Sequence, residues 1–568
     1  MSGEEGNSGQ VVKGSEEAIF LVENLLRKKL SELPVKIYRA AGDSIVVEVP
    51  RRYLRDAANA VHNDLDAYVR TCAGCDEREI RGIYAVYHIL GLDNYGVNVI
   101  IKVAVPENDA KVPTIADIAP GADWCELEFR DLVGIDLTGR PTHRLVLPDD
   151  WPDGLHPLRR DVPYGVRPPP VKREEVSLIE IERPGIPVGP YHPALHEPEY
   201  FELYVEGETV IDVRYRGFHV HRGIEKLAES KLTYKQIPFI AERICGICGF
   251  CHSTCYVMAV EKAAGIEVPE RADYIRAIVL EIERIHSHLL WLGVACHILG
   301  YDAGFMHTWR IREKIMALAE YLTGSRKTYG INIIGGVRKD INKEKVPKVL
   351  EVLDFVEKET KNLADVLLSV PEVKRRLTGT GKLYREEARK LSVVGPVARA
   401  SGLYRDVRKD YPYLAYKHVS FKVPLYTEGD NLARTLVRVE ELFESISIIR
   451  QLLDTMPGGD IRVEEYEIES GRVSVASVEA PRGEDVHFLI TGEGRPYRWR
   501  VRAPTYQNIP ALRAMLRDQQ LADAPITIAS IDPCFSCTDR LVIVEVSGGK
   551  VRRVRRINVV KVAGGKVW

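Results

Sequence analysis

The sequence has no run of apolar residues long enough to cross a bilayer. A span needs about 18 such residues. The most apolar helical stretch, Leu289 to Leu299, is shorter and carries His297. The opening residues, MSGEEGNSGQ, have neither a basic segment nor an apolar one, so no secretory signal is expected. Basic excess is missing too. Lys and Arg number 79 against 81 Asp and Glu, a net charge of -2, which argues against nucleic acid as a partner. Cysteine is scarce, ten in 568 residues. In a chain without a signal, such thiols point to metal or redox chemistry more than to disulfides. Apolar residues at 45% and charged residues at 28% form an ordinary globular balance, which excludes a disordered, collagen-like or coiled-coil chain. The expected setting is the cytoplasm, with any membrane attachment made through partners.

Residues 1–14 are polar and rich in Gly and Ser, and are expected to lack order. Apolar spacing is helical from Glu16 to Glu32. Val35 to Val49 alternates as a strand does, and Arg51 to Arg70 returns to helix. Tyr84–Leu90 and Val97–Val105 read as a strand pair around a Gly91–Tyr95 turn. These make an α+β unit over 15–150. Prolines then gather, and Pro168, Pro169 and Pro170 suit an extended linker over 151–172. Strands are expected at Glu175–Glu182 and Tyr200–Arg214. Gly223 to about Val366 is almost wholly helical in spacing and apolar on several faces, as a buried bundle requires. Helices follow at Arg385–Leu391 and Leu432–Asp454, and strands at Val473–Val478, His487–Thr491 and Tyr497–Arg502. The fold class is therefore α+β: an N-terminal α/β domain, then a mainly helical domain over 173–540 with peripheral strands.

Two C-x-x-C pairs carry the chemistry: Arg243-Ile-Cys245-Gly-Ile-Cys248 and Asp532-Pro-Cys534-Phe-Ser-Cys537. Together they can place four thiolates around one soft or borderline metal. Spacing alone leaves structural zinc, a redox disulfide and a nickel or iron centre all open.

The flanking residues narrow the choice. R-x-C-G-I-C at the start of the helical domain, with D-P-C-x-x-C near its end, resembles the large subunit of nickel-iron hydrogenases. The resemblance implies one nickel held by Cys245, Cys248, Cys534 and Cys537. Cys248 and Cys537 would also bridge to an iron that carries carbon monoxide and cyanide. Val188-Gly-Pro-Tyr-His192, His221-Arg-Gly-Ile-Glu225, Glu479-Ala-Pro-Arg482-Gly and Arg502-Ala-Pro504-Thr505 look like the membrane-bound, energy-converting (group 4) branch. Pro113-Thr-Ile-Ala-Asp-Ile, Trp124, Asp131-Leu-Val-Gly and Gly154-Leu-His156-Pro-Leu-Arg-Arg-Asp161 resemble the small peripheral-arm subunit of respiratory complex I. A chain with both units resembles the formate-hydrogenlyase type.

By this resemblance Glu225 is a proton relay beside a nickel-bound cysteine; the bland alternative pairs it with Lys226 or Arg222. Arg482 would hang over the open metal position, with Cys534 sulfur as proton acceptor; its bland alternative is a loop Arg paired with Glu484. Thr505 and the backbone near Pro481 would hydrogen-bond the cyanides. The resemblance also implies partners: a small subunit bearing 4Fe-4S clusters, ferredoxin-like subunits, membrane subunits related to ion pumps and a maturation endopeptidase. Together they would hold the chain on the inner face of the membrane.

Other candidates read as structural. Cys72-Ala-Gly-Cys75 has no second pair nearby. Cys251, Cys255 and Cys296 lie on expected helices as packed thiols. His286 and His288, two apart, face different sides of a helix and are expected to be buried and hydrogen-bonded. Lys343–Lys348 is expected to be a solvated face. The rival reading is the quinone-site subunit of complex I. His196 and Asp302 match its histidine–aspartate pair, but Cys245-Gly246 stand where it has Asp-Tyr, and it lacks the metal cysteines. The tail Leu541–Trp568 has alternating valines and Gly548-Gly549, which suggest a hairpin. By resemblance it is an extension that a protease removes after Arg540, where the usual residue is His.

Overall fold

The computed structural model describes residues 12–148, 150–166, 168–169, 171, 185–190, 197–219, 221–538, 544–547 and 550–554. The expectations for residues 1–11 and for a strand at Glu175–Glu182 lie outside them.

Helix α1 (Glu16–Lys29) begins at Ser15, whose hydroxyl accepts the Ala18 N–H at 3.2 Å and so satisfies one free donor of the first turn. Strands β1 (Lys36–Arg39), β2 (Ser44–Glu48), β3 (Tyr68–Glu77), β4 (Ile83–Leu92) and β5 (Val97–Pro106) form one sheet in the order β1-β2-β5-β4-β3. Only β2 and β5 run parallel. Two expectations need correction. Val35–Val49 is two strands, turning near Gly42, whose φ of 65° suits a residue without a side chain. The helical stretch from Arg51 ends at Asp64, and the chain extends from Tyr68 as β3. That strand is buried on both faces, so it lacks the apolar–polar alternation that would have announced it.

The two faces of the sheet meet different partners. Cys72, Val86, Val99 and Ile101 pack toward α1 and α2 (Asp123–Val133). Val46, Ala73, Cys75, Tyr87 and Ile100 pack onto Val475, Val486 and Phe488 of the second domain.

In that domain β6 (Gly185–Val188), β7 (Tyr200–Glu206) and β8 (Thr209–Arg216) make a small sheet with β7 central. Helices α3 (Ile224–Lys231), α4 (Gly249–Ala264), α5 (Glu270–Ile298), α6 (Asp302–Thr323), α7 (Val346–Ser369) and α8 (Asn431–Thr455) follow. Most of the circumference of α5 is buried, which explains its lack of a single apolar stripe. A short strand pair at Asn332–Ile333 and Gly336–Val337 interrupts the expected helical run. Strands β9 (Val473–Ala480), β10 (Gly483–Thr491) and β11 (Pro496–Arg502) form an antiparallel meander. The short helices α9 (Pro504–Asn508), α10 (Ala524–Ser530) and α11 (Phe535–Thr538) return the chain to the start of α4. In the tail, β12 (Val544–Ser547) and β13 (Lys550–Val554) pair antiparallel. Among the described residues no helix is long and apolar enough to cross a membrane.

Candidate metal centre

The two cysteine pairs meet in the interior. Cys245 Sγ lies 3.1 Å from Cys248 Sγ and 3.2 Å from Cys534 Sγ, and Cys534 Sγ lies 2.6 Å from Cys537 Sγ. All four side chains are buried. The sulfurs of Cys245, Cys248 and Cys537 lie within 4.8 Å of one another. Backbone N–H groups of Ile247 and Cys248 point at Cys245 Sγ, 3.2 and 3.1 Å away. Burial opposes ionisation of Cys245, but hydrogen bonds from the other three thiols and the Arg482 charge outweigh it and hold the group well below its ordinary value. Cys248 and Cys534 are pushed well above theirs, first by leaning on Cys245, and Cys537 first by burial. The protein alone thus favours one thiolate among three thiols. A bound cation would ionise the rest, since metals take thiolates and release protons.

These donors fit the soft metal that the sequence suggests. Four sulfurs converge, and sulfur donors select soft and borderline metals. The C-x-x-C at Cys72 and Cys75 is unlike this. It lies on β3, where residues three apart face opposite sides, and the two thiols pack into different cores.

Several groups outside the motifs hold the two loops. Arg222 donates to the carbonyls of Arg243 and Ile244 at 2.7 Å and of Ser536 at 2.8 Å, so one guanidinium ties both cysteine loops together. Glu197 accepts the Ser536 N–H at 2.8 Å. Tyr329 donates to the Cys245 carbonyl at 3.1 Å. Glu283 accepts the Phe250 and Cys251 N–H groups at 2.9 Å, capping α4 just after Cys248; burial raises its carboxyl to about 7.

Arg482 is fully buried and does not pair with Glu484. It donates to the Asp532 carbonyl at 2.7 Å, to Asp532 Oδ1 at 2.8 Å and to Ser287 Oγ at 2.9 Å, which sets it beside the cysteine that follows Pro533. Thr505 Oγ1 accepts the Cys534 N–H at 3.1 Å. Glu225 is buried at the start of α3 and takes neither bland partner. Lys226 donates instead to the Arg159 carbonyl at 2.7 Å, while Glu225 is held by Arg498, Arg500 and the Val501 N–H.

Sequence reasoning missed a buried trio. His252, one turn into α4, lies with Nδ1 2.8 Å from Asp485 Oδ2, and His487 Nε2 is 3.4 Å from the same oxygen. The Trp499 indole donates to His487 Nδ1 at 3.3 Å. An indole N–H is only a donor, so His487 must carry its hydrogen on Nε2, facing the carboxylate. Within the trio His252 Nδ1 lies 3.5 Å from His487 Nε2, neither carboxylate oxygen of Asp485 takes a hydrogen bond among the described residues, and the three buried groups form a second cluster close enough together to hold a metal ion. The spacing Asp485-x-His487 on a strand was its only trace in the sequence. Of the helical histidines, His288 bonds Glu441 at 2.8 Å as expected. His286 is the exception: both ring nitrogens are buried with no hydrogen-bond partner, and burial drives its pKa well down. Cys251, Cys255 and Cys296 are buried helical thiols. Asp302 is exposed and pairs with His297 at 2.8 Å; His196 lies outside the described residues.

Fold and cysteine geometry together define a two-domain subunit whose four converging, buried thiols form a candidate site for a soft metal. Family models agree in pieces: "Respiratory-chain NADH dehydrogenase, 30 Kd subunit" over residues 47–167, "Nickel-dependent hydrogenase" over 222–295, and "Respiratory-chain NADH dehydrogenase, 49 Kd subunit" over 299–474 and 464–540. Formate hydrogenlyase subunit 5 of Escherichia coli is 44% identical, covering 90% of this chain and 92% of the relative. Hydrogenase-4 component G of the same organism is 42% identical over 89% and 90%. A subunit of the membrane-bound sulfane sulfur reductase, an archaeal respiratory complex, superposes with a TM-score of 0.61 at 34% identity, over 64% of this chain and all of that one. The chain belongs to the family of hydrogenase large subunits that includes formate hydrogenlyase subunit 5 and hydrogenase-4 component G, in which a nickel-dependent hydrogenase unit is fused to a complex I 30 kDa-type domain.

Proposed function

We propose that the chain catalyses 2 H⁺ + 2 e⁻ ⇌ H₂ as the large subunit of a formate-hydrogenlyase-type assembly. The convergence of four buried thiols from two distant loops carries this reading. Cys245, Cys248, Cys534 and Cys537 would hold nickel, and Cys248 and Cys537 an adjoining iron with carbon monoxide and cyanide ligands. When bound, that centre supplies the electron-rich site at which protons and electrons combine. Thr505, already against the Cys534 backbone, and the backbone near Pro481 would hydrogen-bond the cyanides. Arg482, fixed by Asp532 and Ser287, puts a permanent cation over the site, and fixed charge in a dry cavity acts strongly. Cys534 Sγ takes up or gives a proton, and Glu225 passes it on.

Electrons would arrive through a small subunit carrying 4Fe-4S clusters and ferredoxin-like subunits. Ion-pump-like membrane subunits would anchor the assembly on the inner face of the membrane. A maturation endopeptidase would remove the tail after Arg540. The complex I-type alternative, a quinone site without metal, gives the four converging thiols nothing to do.

The test is substitution. Each of Cys245, Cys248, Cys534 and Cys537 changed to Ser should lose nickel and hydrogen production, because a hydroxyl is a poor ligand for a soft metal. Full nickel occupancy and activity in any one variant removes that residue from the site. A wild-type chain carrying zinc alone removes the proposal.

A further inference from the structure

Strand β11 carries an arginine at every second position. Arg498, Arg500 and Arg502 share one face, and all three are buried. Each reaches across the domain seam to β3. Arg498 Nε donates to the Gly74 carbonyl at 3.0 Å, Arg500 Nε to that of Cys72 at 3.3 Å, and Arg502 Nε to that of Arg70 at 2.5 Å. The acceptors also recur every second residue, in reverse order. The side chains are thus rungs between two antiparallel strands from different domains.

The far ends of two rungs hold Glu225. Arg498 Nη1 is 2.8 Å from its Oε2, and Arg500 Nη1 is 3.4 Å from its Oε1. The Val501 N–H donates to Oε1 at 3.0 Å. Each guanidinium is also shared with a second carboxylate. Arg498 contacts Glu229 of α3 at 2.8 Å. Arg500 meets Glu128, on α2 of the N-terminal domain: Nη1 donates to Oε1 at 2.9 Å, and Nη2 lies 2.9 Å from Oε2 as an ion-pair contact. Arg500 also lies 3.9 Å from Cys125 Sγ and 5.2 Å from the centre of the Tyr506 ring. A charge-assisted hydrogen bond backed by a second close charge contact to the same carboxylate holds a guanidinium more firmly than either contact alone. An arginine released from one such partner regains a flexible side chain, and its contact to Glu225, the longer of the two guanidinium contacts, is the one exposed to that motion.

We propose that Glu128, and through it the N-terminal domain, is a positioning residue for Glu225: it clamps Arg500 so that Arg500 and Arg498 together fix the carboxylate that relays protons. This rests on the relay reading of Glu225 given above. Proton transfer requires heavy atoms within about 2.6–3.2 Å of each other, so small displacements of Glu225 are felt in turnover. The arrangement gives the fused domain a part in the chemistry besides docking, and covalent fusion keeps the seam at fixed stoichiometry.

The test uses the full-length, metal-loaded assembly with Glu128→Ala, Glu128→Asp and Glu128→Gln beside Glu225→Gln. Nickel content, hydrogen evolution and its solvent isotope effect are read for each. Glu128→Ala should keep nickel, slow evolution by roughly tenfold to a hundredfold, the scale on which a misplaced group acts, and enlarge the isotope effect as proton delivery becomes limiting. Asp and Gln, which still accept from Arg500, should each recover part of the rate and of the isotope effect. Should Glu128→Ala fail to assemble, Glu128→Gln and Glu128→Asp carry the test: both must still evolve hydrogen below the wild-type rate with an enlarged isotope effect. Wild-type rate and isotope effect in Glu128→Ala, or in both other variants, would overturn the positioning role while an impaired Glu225→Gln left the relay standing. Wild-type rates in Glu225→Gln would sink the relay and this role with it.

Discussion

Glu484 is the keystone of the domain seam, and removing its charge has a calculable effect. Its carboxylate is buried between Arg70 and Arg502. Arg70 donates Nε at 3.0 Å and Nη2 at 2.6 Å. Burial alone would raise the carboxyl, but the charges of Arg70, Arg502 and Arg405 override it and bring it from 4.5 to about 2. A depressed carboxyl adds stability above its unfolded value and loses it as pH falls through the folded one. A difference of about 2.5 units corresponds to about 3 kcal/mol, or roughly 300-fold in an opening equilibrium. Breaking a buried ion pair by removing one partner costs a similar amount, about 3–5 kcal/mol. Glu484→Gln keeps the shape and leaves two buried guanidiniums without their anion. Hydrogen exchange of β3 and β11 at neutral pH reads seam opening directly. Their protection should fall by roughly 300-fold in the variant if opening exposes the pair fully. In the wild type, protection corrected for intrinsic rates should decay between pH 4.5 and about 2, and the variant should show no such decay from this site. Protection within threefold of wild type at pH 7, or decay starting above pH 6, would refute the electrostatic account of the seam.

Other outcomes follow from the same geometry. Glu225→Gln should retain nickel yet cut hydrogen evolution by orders of magnitude, since the amide is nearly isosteric but cannot ionise; comparison with H/D exchange checks it, and near-normal rates of both would show another proton route. Arg222→Ala removes three carbonyl contacts that join the two cysteine loops, so nickel should be lost faster to a chelator while the helical content stays unchanged by circular dichroism. The tail should be cut between Arg540 and Leu541 in nickel-replete cells and remain in nickel-starved ones. Intact mass decides, and a full-length chain in active, nickel-loaded enzyme would contradict it.

Motif chemistry was legible wherever neighbours in sequence are neighbours in function. The C-x-x-C pairs announce themselves, and the structure brings their sulfurs together from opposite ends of a domain. Pairings across long stretches of chain were not legible. Arg482 has Glu484 two residues away, yet its partner is Asp532, because a positive-φ turn at Asp532 aims that carboxylate inward. Tyr497–Arg502 reads as a strand in the sequence, but only the fold shows that the acceptors of its arginines lie more than 400 residues away on β3. Strand β3 itself was hidden because both its faces are buried and alternation needs one wet face. The bundle helices were easier, since length and multi-sided apolarity survive without knowledge of their neighbours.

Nickel-edge X-ray absorption on the purified, mature chain tests the central claim most directly. The account predicts nickel in the protein with a first shell made of sulfur from Cys245, Cys248, Cys534 and Cys537, and loss of that shell when Cys534 or Cys537 is replaced by Ser. A chain holding only zinc, or nickel in a nitrogen and oxygen shell that survives those substitutions, would contradict it.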